Sequence, residues 1–456
     1  MALMKSISGI RGTIGGKPGN NLTPVDLVKF TAAYATILGK GKKVIVGRDG
    51  RMSGEMVNSL VVNTLLGMGL HVIDLGLSTT PTVEMAVVFE AAAGGIILTA
   101  SHNPKQWNAL KLLNEKGEFI SAELGLEMLS IAEKEDFVFA SVDELGTYTT
   151  DDTLLITHID AILAHPLVDK KAIASKKFNI IVDAINSSGA IAVPALLNAI
   201  GVNNSTVINA EMHGNFAHNP EPLAENLVEL CAEVIKQKAD LGIAVDPDVD
   251  RLCFVNEDGS FFGEEYTLVA VADYILSNKK GNTVSNLSST RALKDITEKH
   301  GGTYFASAVG EVNVVNKMKE VSAVIGGEGN GGIIDPHLHY GRDALIGIAL
   351  FLTHLSKSGK TCTEMRKTYP DYFMSKKKID FPDGTDIKDL LQKVKDANAL
   401  HPVNTEDGVK IEFEKSWVHL RASNTEPIIR IYTEAETTEK ADDLAELFIN
   451  QISSLM

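Results

Sequence analysis

The residues with the clearest chemical potential lie where the apolar run Ile96 to Leu98 gives way to the sequence TASHNP, residues 99–104. An aliphatic run closed by polar residues and a proline predicts a buried strand of an α/β sheet that ends in a loop. Ligands of open α/β sheets bind beyond the carboxyl ends of the strands. Ser101 is therefore a candidate nucleophile, although a serine here is also an ordinary turn residue or helix N-cap. The loop lacks the Gly-x-Ser-x-Gly pattern, which disfavours acyl transfer by a serine triad.

Three carboxylates form a second candidate site. Asp246, Asp248 and Asp250 alternate directly after the apolar run LGIAV. Carboxylates this close repel one another unless a cation neutralises them, so a hard divalent ion is the simplest interpretation and an acidic, solvated turn is the alternative. A calcium-binding EF-hand is disfavoured, because its sixth position requires glycine and is Arg251 here, and because both flanking runs are of β type.

Two further loops carry ligand-binding side chains. The glycine-rich run VIGGEGNGGII contains Glu328 and Asn330, whose side chains suit sugar hydroxyls, although a glycine-rich turn without function is equally compatible. The run HLRASNTEPIIRI offers a guanidinium, hydroxyls and an amide suited to a phosphate, with a polar hairpin turn as the alternative. Its candidate residues are Arg421, Ser423, Asn424, Thr425 and Arg430. A serine, a metal site, a hydroxyl-binding loop and a phosphate-binding loop together fit phosphoryl transfer, which depends on positioning and charge neutralisation.

Composition narrows the class of protein. The chain has 456 residues and a formal net charge of -16, which argues against nucleic-acid binding but not against a small anionic ligand in a locally basic cleft. The three cysteines are scattered and predict reduced thiols rather than a disulfide framework. No apolar run approaches the roughly 20 residues that span a bilayer, and the N-terminal sequence lacks a signal-peptide core. We expect a cytoplasmic protein that binds neither membranes nor nucleic acid.

These loops must be positioned by alternating strands and helices. Strand and helix patterns alternate in three successive blocks, which predicts βαβ units with parallel strands; one predicted helix runs from Leu223 to Ala239. From Pro370 the pattern changes to a helix, short alternating strands and a terminal helix, which predicts an α+β layout with antiparallel hairpins. We expect domain boundaries after residues 151, 257 and 369, giving domains at 1–151, 152–257, 258–369 and 370–456.

The four loops, in order, resemble those of the α-D-phosphohexomutase family, which comprises phosphoglucomutases, phosphomannomutases and phosphoglucosamine mutases. The resemblance rests on GIRG, TASHNP, DPDVDR, GEGNGG and RASNTEP and covers nearly the whole chain. It implies three similar mixed α/β sandwich domains and a fourth, TATA-binding-protein-like α+β domain around a central cleft. The GEGNGG loop departs from the Glu-x-Ser-Gly/Ala-His form of many bacterial relatives, so hexose specificity does not transfer; Ser8 also stands where aspartate often precedes GIRG.

The resemblance also implies residue roles. Ser101 would be the phosphoserine, and the three aspartates would hold Mg²⁺ together with a phosphate oxygen on Ser101. Arg251, Arg11, Lys111 and His102 would lie near the reacting phosphate. Glu328 and Asn330 would face the sugar, and the loop from Arg421 with Arg430 would bind the second phosphate.

The activity implied is transfer of phosphate between O1 and O6 of a hexose phosphate, through a hexose 1,6-bisphosphate. Two alternatives remain open, a metal-dependent phosphatase using the same serine and a non-catalytic sugar-phosphate-binding protein. The preferred hexose and the oligomeric state also remain open.

Overall fold

The structure, a computed structural model, describes residues 3–6, 9–382, 384–422 and 428–455. The chain divides into two compact units. The first contains the described residues up to Tyr274 together with Asn330–Arg366, and the second contains Ile275–Gly329 together with the described residues from Lys367 onward. Among the described residues, no helix combines the length and apolar character needed to cross a lipid bilayer.

The first unit begins with a seven-stranded mixed sheet flanked by helices. Its elements are β1 (Met4–Ser6), β2 (Gly9–Thr13), α1 (Pro24–Leu38), β3 (Lys43–Arg48), α2 (Gly54–Gly67), β4 (His71–Leu77), α3 (Thr80–Phe89), β5 (Gly94–Leu98), β6 (Trp107–Leu113), α4 (Ala122–Lys134) and β7 (Tyr148–Thr150). The strand order is β1-β2-β6-β5-β3-β4-β7. Strands β5, β3, β4 and β7 are parallel, which confirms the parallel βαβ units predicted between Val44 and Leu98, whereas β6 runs antiparallel to β5 and makes the sheet mixed.

Local sequence explains where the first helix begins. Thr23 caps α1 and forms a capping box with Asp26, and Pro24 occupies the first turn, where its missing N–H costs nothing. Apolar residues of α1, α2 and α4 pack on one face of the sheet and form a core that includes Leu27, Val61 and Met128. This core gives β5 and β6 a rigid base, because their five and seven residues are almost all buried.

A second, four-stranded sheet follows in the same unit. Its elements are α5 (Leu154–Ala164), α6 (Lys170–Lys176), β8 (Asn179–Asp183), α7 (Gly189–Ala199), β9 (Asn204–Ile208), α8 (Val228–Gln237), β10 (Leu241–Val245) and β11 (Leu252–Asn256). The order is β11-β10-β8-β9, with β10, β8 and β9 parallel and β11 antiparallel to β10. The aspartate loop therefore connects two antiparallel strands, which agrees with rejecting an EF-hand.

The third stretch of the chain contributes to both units. Its elements are α9 (Glu264–Asn278), β12 (Asn282–Asn286), α10 (Ala292–Lys299), β13 (Tyr304–Ser307), α11 (Glu311–Glu320), β14 (Ala323–Glu328), β15 (Gly332–Ile334), α12 (Ala344–Ser358) and α13 (Cys362–Arg366). In the second unit, β12 pairs in parallel with both β13 and β14. Helices α12 and α13 belong to the first unit.

The C-terminal part of the second unit is an antiparallel sheet with two helices, as its sequence pattern predicts. The elements are β16 (Phe373–Asp380), α14 (Ile387–Ala397), β17 (Val403–Asn404), β18 (Val409–Glu412), β19 (Trp417–Ala422), β20 (Ile428–Ala435) and α15 (Thr438–Ser454). The strand order is β16-β20-β19-β18-β17. The apolar faces of the sheet and both helices form one core around residues such as Val394, Ile431 and Phe448.

Candidate active site

Ser101 lies two residues beyond β5, in a tight turn. Its φ of 48° is in the left-handed region, which a non-glycine residue adopts only when its surroundings hold it there. The Ser101 N–H donates to the Thr99 hydroxyl at 2.9 Å, and the Thr99 hydroxyl donates to Asp49 at 2.6 Å. A buried strand therefore ends on a hydroxyl here because Thr99 links the serine backbone to Asp49, the residue that follows the neighbouring strand β3.

A buried arginine holds the rest of the serine loop. The Arg51 guanidinium donates to Asp49 at 3.0 Å and to the carbonyls of Pro104 and Trp107, both at 2.9 Å. It also donates to the carbonyl oxygens of Ser101 and Asn103. One side chain thus fixes both ends of the loop, and the position of Ser101 is set by residues that follow β3.

The aspartate loop begins where β10 ends, and all three of its carboxylates are buried. Asp246 Oδ1 accepts the backbone N–H groups of Asp250 and Arg251, both at 3.1 Å. Val249, a β-branched residue, has a φ of 61°, which is rare enough to indicate backbone strain. Hydrogen bonds to its own backbone therefore keep the loop tightly wound, with the carboxylates turned inward.

Ser101 and the aspartate loop meet directly. Ser101 Oγ donates to Asp246 Oδ2 at 2.7 Å, although 145 residues separate them in the chain. Burial and the charges of Asp248 and Asp250 raise the pKa of Asp246 well above its ordinary value. The first two candidate motifs therefore form one site, in which a hydroxyl lies against an acidic cluster.

Two cations partly neutralise that cluster. Lys111 Nζ lies 2.6 Å from Asp248 Oδ2 and 3.2 Å from Asp250 Oδ2, and Arg342 Nη2 donates to Asp250 Oδ2 at 2.7 Å. Burial opposes ionisation of Asp250, but Arg342, Lys111 and Arg251 lower its pKa below the ordinary value. Burial likewise opposes the charge on Lys111, yet Asp248 and Asp250 raise the pKa of the amine. Asp250 and Lys111 are therefore both charged at neutral pH.

The donor set fits a hard divalent cation. Asp248 Oδ1 and Asp250 Oδ1 are buried and accept no hydrogen bond from any described residue. Buried carboxylate oxygens without donors are costly, and oxygen ligands of this kind are what Mg²⁺ and Ca²⁺ prefer. The three aspartate ligand atoms lie within 4.8 Å of one another.

Three other predicted residues surround the serine in the same unit. Arg11, on β2, donates to the Asn103 side chain at 2.7 Å. Arg251 forms an ion pair with Glu221 at 3.0 Å, and its Nε lies 4.0 Å from Asp246 Oδ2. His102 Nδ1 lies 3.5 Å from Ser101 Oγ, and burial together with Arg251 and Arg11 lowers the pKa of His102 to about 2. His102 is therefore uncharged at neutral pH.

The sugar-loop candidates fall in different units. Glu328, at the end of β14, is buried and accepts from Asn286 Nδ2 at 2.8 Å and from the Gly310 N–H at 3.2 Å. Asn330 belongs to the first unit, where its side-chain oxygen accepts from the Gly332 N–H at 3.2 Å. Its hydrogen bond closes a local turn within its own loop.

The second unit connects Glu328 with Arg421 through a short network. Val309, the residue before Gly310, donates its N–H to Asp407 Oδ2 at 3.0 Å, and the same oxygen lies 2.9 Å from Arg421 Nε. Two predicted loops are thus joined within one unit by Asp407. This aspartate lies in an ordinary hairpin sequence, so nothing in its local pattern singles it out.

Basic residues form a row across the C-terminal sheet. Arg421 on β19 lies directly opposite Arg430 on β20, which lies opposite Lys378 on β16. Directly opposite residues of antiparallel strands place their side chains on the same face. Ser423, Asn424 and Thr425, three further predicted residues, lie outside the described residues, as does Ser8.

Sequence reasoning missed the side chains that support this site. Asp49, Thr99 and Arg51 hold the serine loop, and Arg342 contacts Asp250. Thr80 also contacts the aspartate loop, with its hydroxyl 2.5 Å from Asp248 Oδ2. The sequences GRDGR, which contains Asp49 and Arg51, and YGRDA, which contains Arg342, each place a charged pair after a glycine near the end of a strand. This pattern is the signal by which these residues could have been identified from the sequence.

Comparison with known proteins agrees with this architecture. The chain matches family models for the phosphoglucomutase/phosphomannomutase alpha/beta/alpha domains I, II and III and for the C-terminal domain. The matched ranges are residues 4–139, 157–259, 263–372 and 377–451, respectively. Their order confirms the predicted series of three similar α/β domains followed by a different, antiparallel C-terminal domain.

Individual relatives match over almost the whole chain. A phosphoglucomutase/phosphomannomutase of Thermococcus kodakarensis is 36% identical over 98% of this chain and 98% of its own length. A phosphoglucosamine/phosphogalactosamine mutase of Sulfurisphaera tokodaii is 32% identical over 100% of this chain and 99% of its own length. The crystal structure of a phosphoglucomutase/phosphomannomutase family protein from Burkholderia thailandensis shares the fold, with a TM-score of 0.85, 23% identity and coverage of 99% of this chain and 98% of that chain.

The fold and the serine-aspartate site define an enzyme of the phosphohexomutase class. The chain belongs to the phosphoglucomutase/phosphomannomutase family.

Proposed function

We propose that the protein moves phosphate between O1 and O6 of a hexose phosphate, through a phosphoserine at Ser101 and a hexose 1,6-bisphosphate intermediate. One observation carries the proposal: Ser101 Oγ lies 2.7 Å from Asp246 Oδ2, at the edge of a buried cluster of three aspartates. A sugar-phosphate-binding protein needs neither a nucleophile nor an adjacent cation site. The contact therefore favours group transfer over binding alone.

Mg²⁺ is the cation we propose for Asp246, Asp248 and Asp250, together with a phosphate oxygen on Ser101. The set of oxygen ligands supports this choice of ion. Asp248 Oδ1 and Asp250 Oδ1 are buried, and no described residue donates a hydrogen bond to either oxygen. When bound, the ion offsets charge on the transferring phosphoryl group.

The protein's own side chains position and neutralise the reacting group. Thr99 and Arg51 fix the Ser101 backbone, so the hydroxyl is presented without reorganisation. Lys111 and Arg251 supply positive charge to the aspartate loop, Lys111 beside Asp248 and Arg251 beside Asp246. His102 has a pKa of about 2 and adds no charge, so its role is as a neutral hydrogen-bonding partner near Ser101.

The second unit supplies the features that distinguish a mutase from a phosphatase. A phosphatase grips only the phosphate that it removes, whereas a mutase must hold a second phosphate while the first one moves. We assign that second phosphate to Arg421 and Arg430 with the Ser423 to Thr425 loop. Their facing positions on adjacent strands support this role, because two guanidinium groups on one face suit a dianion.

The sugar itself is assigned to Glu328 and Asn330. Glu328 accepts hydrogen bonds from the Asn286 side chain and the Gly310 N–H, which hold its carboxylate in place, and carboxylate oxygens are suitable acceptors for sugar hydroxyl donors. The two relatives described above are named for glucose, mannose, glucosamine and galactosamine phosphates, so the 1-phosphates of these sugars are the substrates to compare.

One product assay separates the three candidate functions. Purified protein is incubated with glucose 1-phosphate or glucosamine 1-phosphate, Mg²⁺ and a trace of the matching 1,6-bisphosphate. Formation of the 6-phosphate supports a mutase, release of inorganic phosphate indicates a phosphatase, and an unchanged substrate indicates a binding protein. Ser101→Ala is the matched control, since it removes only one hydroxyl from the site.

A further inference from the structure

A second cluster of metal-ligating side chains lies in the first unit, outside the serine-aspartate site. His158 comes from α5, and His339 and Asp343 come from the segment that leads into α12. We propose that these three residues bind a divalent transition metal ion of the Zn²⁺ class. This inference does not rest on the proposed mutase function, because it concerns different ligands and a different ion.

The geometry suits a tetrahedral ion. His158 Nε2 lies 3.0 Å from Asp343 Oδ2, and His339 Nε2 lies 3.3 Å from the same oxygen. The three ligand atoms lie within 4.8 Å of one another. Zinc bonds of about 2.0 to 2.1 Å in a tetrahedron separate neighbouring ligand atoms by roughly 3.3 to 3.4 Å. The two separations from Asp343 Oδ2 are therefore close to those that a tetrahedral zinc ion requires.

Outer partners hold each ligand in orientation. The other ring nitrogen of His158 lies 3.1 Å from the Thr82 hydroxyl, and the other ring nitrogen of His339 lies 3.4 Å from Glu84 Oε2. The second oxygen of Asp343 accepts the N–H groups of Leu345 and Ile346 at the start of α12. A ligating nitrogen on one side of the ring, with a hydroxyl or carboxylate on the other, is the usual environment of metal-binding histidines.

Charge and burial also favour a cation. The side chains of His158 and Asp343 are fully buried, Glu84 is 1% exposed, and His339 is 10% exposed, which gives an ion an entry route. A doubly charged ion would balance the two buried carboxylates. Imidazole nitrogens favour zinc-type ions over Mg²⁺, whereas the three-aspartate loop offers oxygens alone. The two clusters should therefore select different metals.

The competing explanation is a metal-free hydrogen-bond network among the same side chains. Cobalt distinguishes the two, because Co²⁺ absorbs visible light strongly in a tetrahedral site and weakly in an octahedral oxygen site. The experiment strips the full-length protein with a chelator, titrates it with Co²⁺ in excess Mg²⁺, and counts bound metal by elemental analysis. We expect one equivalent of Co²⁺ with a strong visible band, displaced by Zn²⁺.

Three variants locate the ion. His339→Gln should remove the strong band and weaken Zn²⁺ binding by about 100-fold or more, since loss of a ligand exceeds the 10- to 100-fold cost of losing an outer partner. His354→Gln, a partly exposed histidine of α12 outside the cluster, should retain the band. Asp248→Asn should also retain it, because that substitution alters only the other site.

Two results would overturn the proposal. One is the absence of a strong band in the wild-type protein, which would establish the metal-free network. The other is loss of the band in folded Asp248→Asn protein, which would place the ion at the aspartate loop. Both results are measured on the wild-type protein and Asp248→Asn, so they can be obtained even if His339→Gln is unstable. Circular dichroism shows which variants are folded.

Discussion

Replacing Thr99 with valine tests the support of the serine loop most selectively. Valine keeps the shape and β-branching of threonine but removes a hydroxyl that is completely buried. That hydroxyl donates to Asp49 at 2.6 Å and accepts the Ser101 N–H at 2.9 Å. The substitution therefore removes two hydrogen bonds without creating a cavity.

The expected cost follows from those two contacts. A hydrogen bond to a charged group contributes about 1.5 to 3 kcal/mol, and a buried N–H left without an acceptor costs about 1 to 3 kcal/mol. The added methyl group returns about 0.8 kcal/mol. We expect the free energy of unfolding to fall by roughly 2 to 5 kcal/mol, and we expect turnover to fall because Ser101 is released from its left-handed conformation.

Denaturant unfolding gives the stability change, and steady-state kinetics with intact mass spectrometry give turnover and Ser101 phosphorylation. Thr99→Ser is the matched control; it keeps the hydroxyl and should lie closer to wild type in both measurements. If Thr99→Val unfolds within about 0.5 kcal/mol of wild type, the change typical of neutral surface positions, and also turns over normally, the hydroxyl does not hold the loop and this reasoning fails.

Three further predictions concern individual charges. Arg421→Ala should lower kcat/KM by about tenfold to more than a hundredfold, since a charge-assisted hydrogen bond is worth about 1.5 to 3 kcal/mol. Lys415→Ala, which removes an exposed lysine of the same unit, should leave kcat/KM unchanged. Equal kinetics for the two variants would contradict binding of the second phosphate by Arg421. Lys111→Met should destabilise the metal-free protein by about 3 to 5 kcal/mol, because it removes the ion pair of the buried Asp248 and one of the two close ion pairs of Asp250. Mg²⁺ should stabilise this variant more than the wild type, and an equal or smaller effect of Mg²⁺ would contradict competition between the amine and the ion. Burial opposes protonation of His218, but the hydrogen bond with Asp183 raises the pKa of the imidazole above its ordinary value. The folded state therefore binds a proton more tightly than the unfolded state does, and stability should fall as the pH rises above about 6.5. His218→Gln should flatten that part of the pH profile in thermal unfolding, and an unchanged profile would contradict the raised pKa of His218.

The sequence predicted the fold class and its main elements because hydrophobic periodicity is a local signal. The run Ile96 to Leu98 lies in β5, and the C-terminal strands form the antiparallel sheet that their alternation predicts. Strand direction within a sheet is not a local property, so the antiparallel pairing of β6 with both β5 and β2 in this mixed sheet could not be predicted from the local pattern. Helix α8 begins at Val228 rather than Leu223, because the Asn226 side chain donates to the Glu221 carbonyl and stabilises a turn there.

In the candidate site, too, some residues could be identified from local sequence and others only from contacts in the folded chain. Ser101 and the three aspartates were identifiable because their motifs are short and continuous. Arg342 and Thr80 reach the aspartate loop from segments 92 and 168 residues away, and only the folded chain brings them there. Lys111 was predicted near the reacting phosphate, but its ion pairs with Asp248 and Asp250 required the register of β6 against β5.

The central claim is that Ser101 donates a phosphoryl group to the sugar. The most direct measurement phosphorylates the enzyme on Ser101 with a radioactive label, mixes it with unlabelled hexose 1-phosphate and Mg²⁺, and quenches the reaction within one turnover. The account predicts that the label leaves Ser101 and appears first in the hexose 1,6-bisphosphate and then in the 6-phosphate. Label recovered as inorganic phosphate, or label that stays on Ser101 while the 6-phosphate forms, would contradict it.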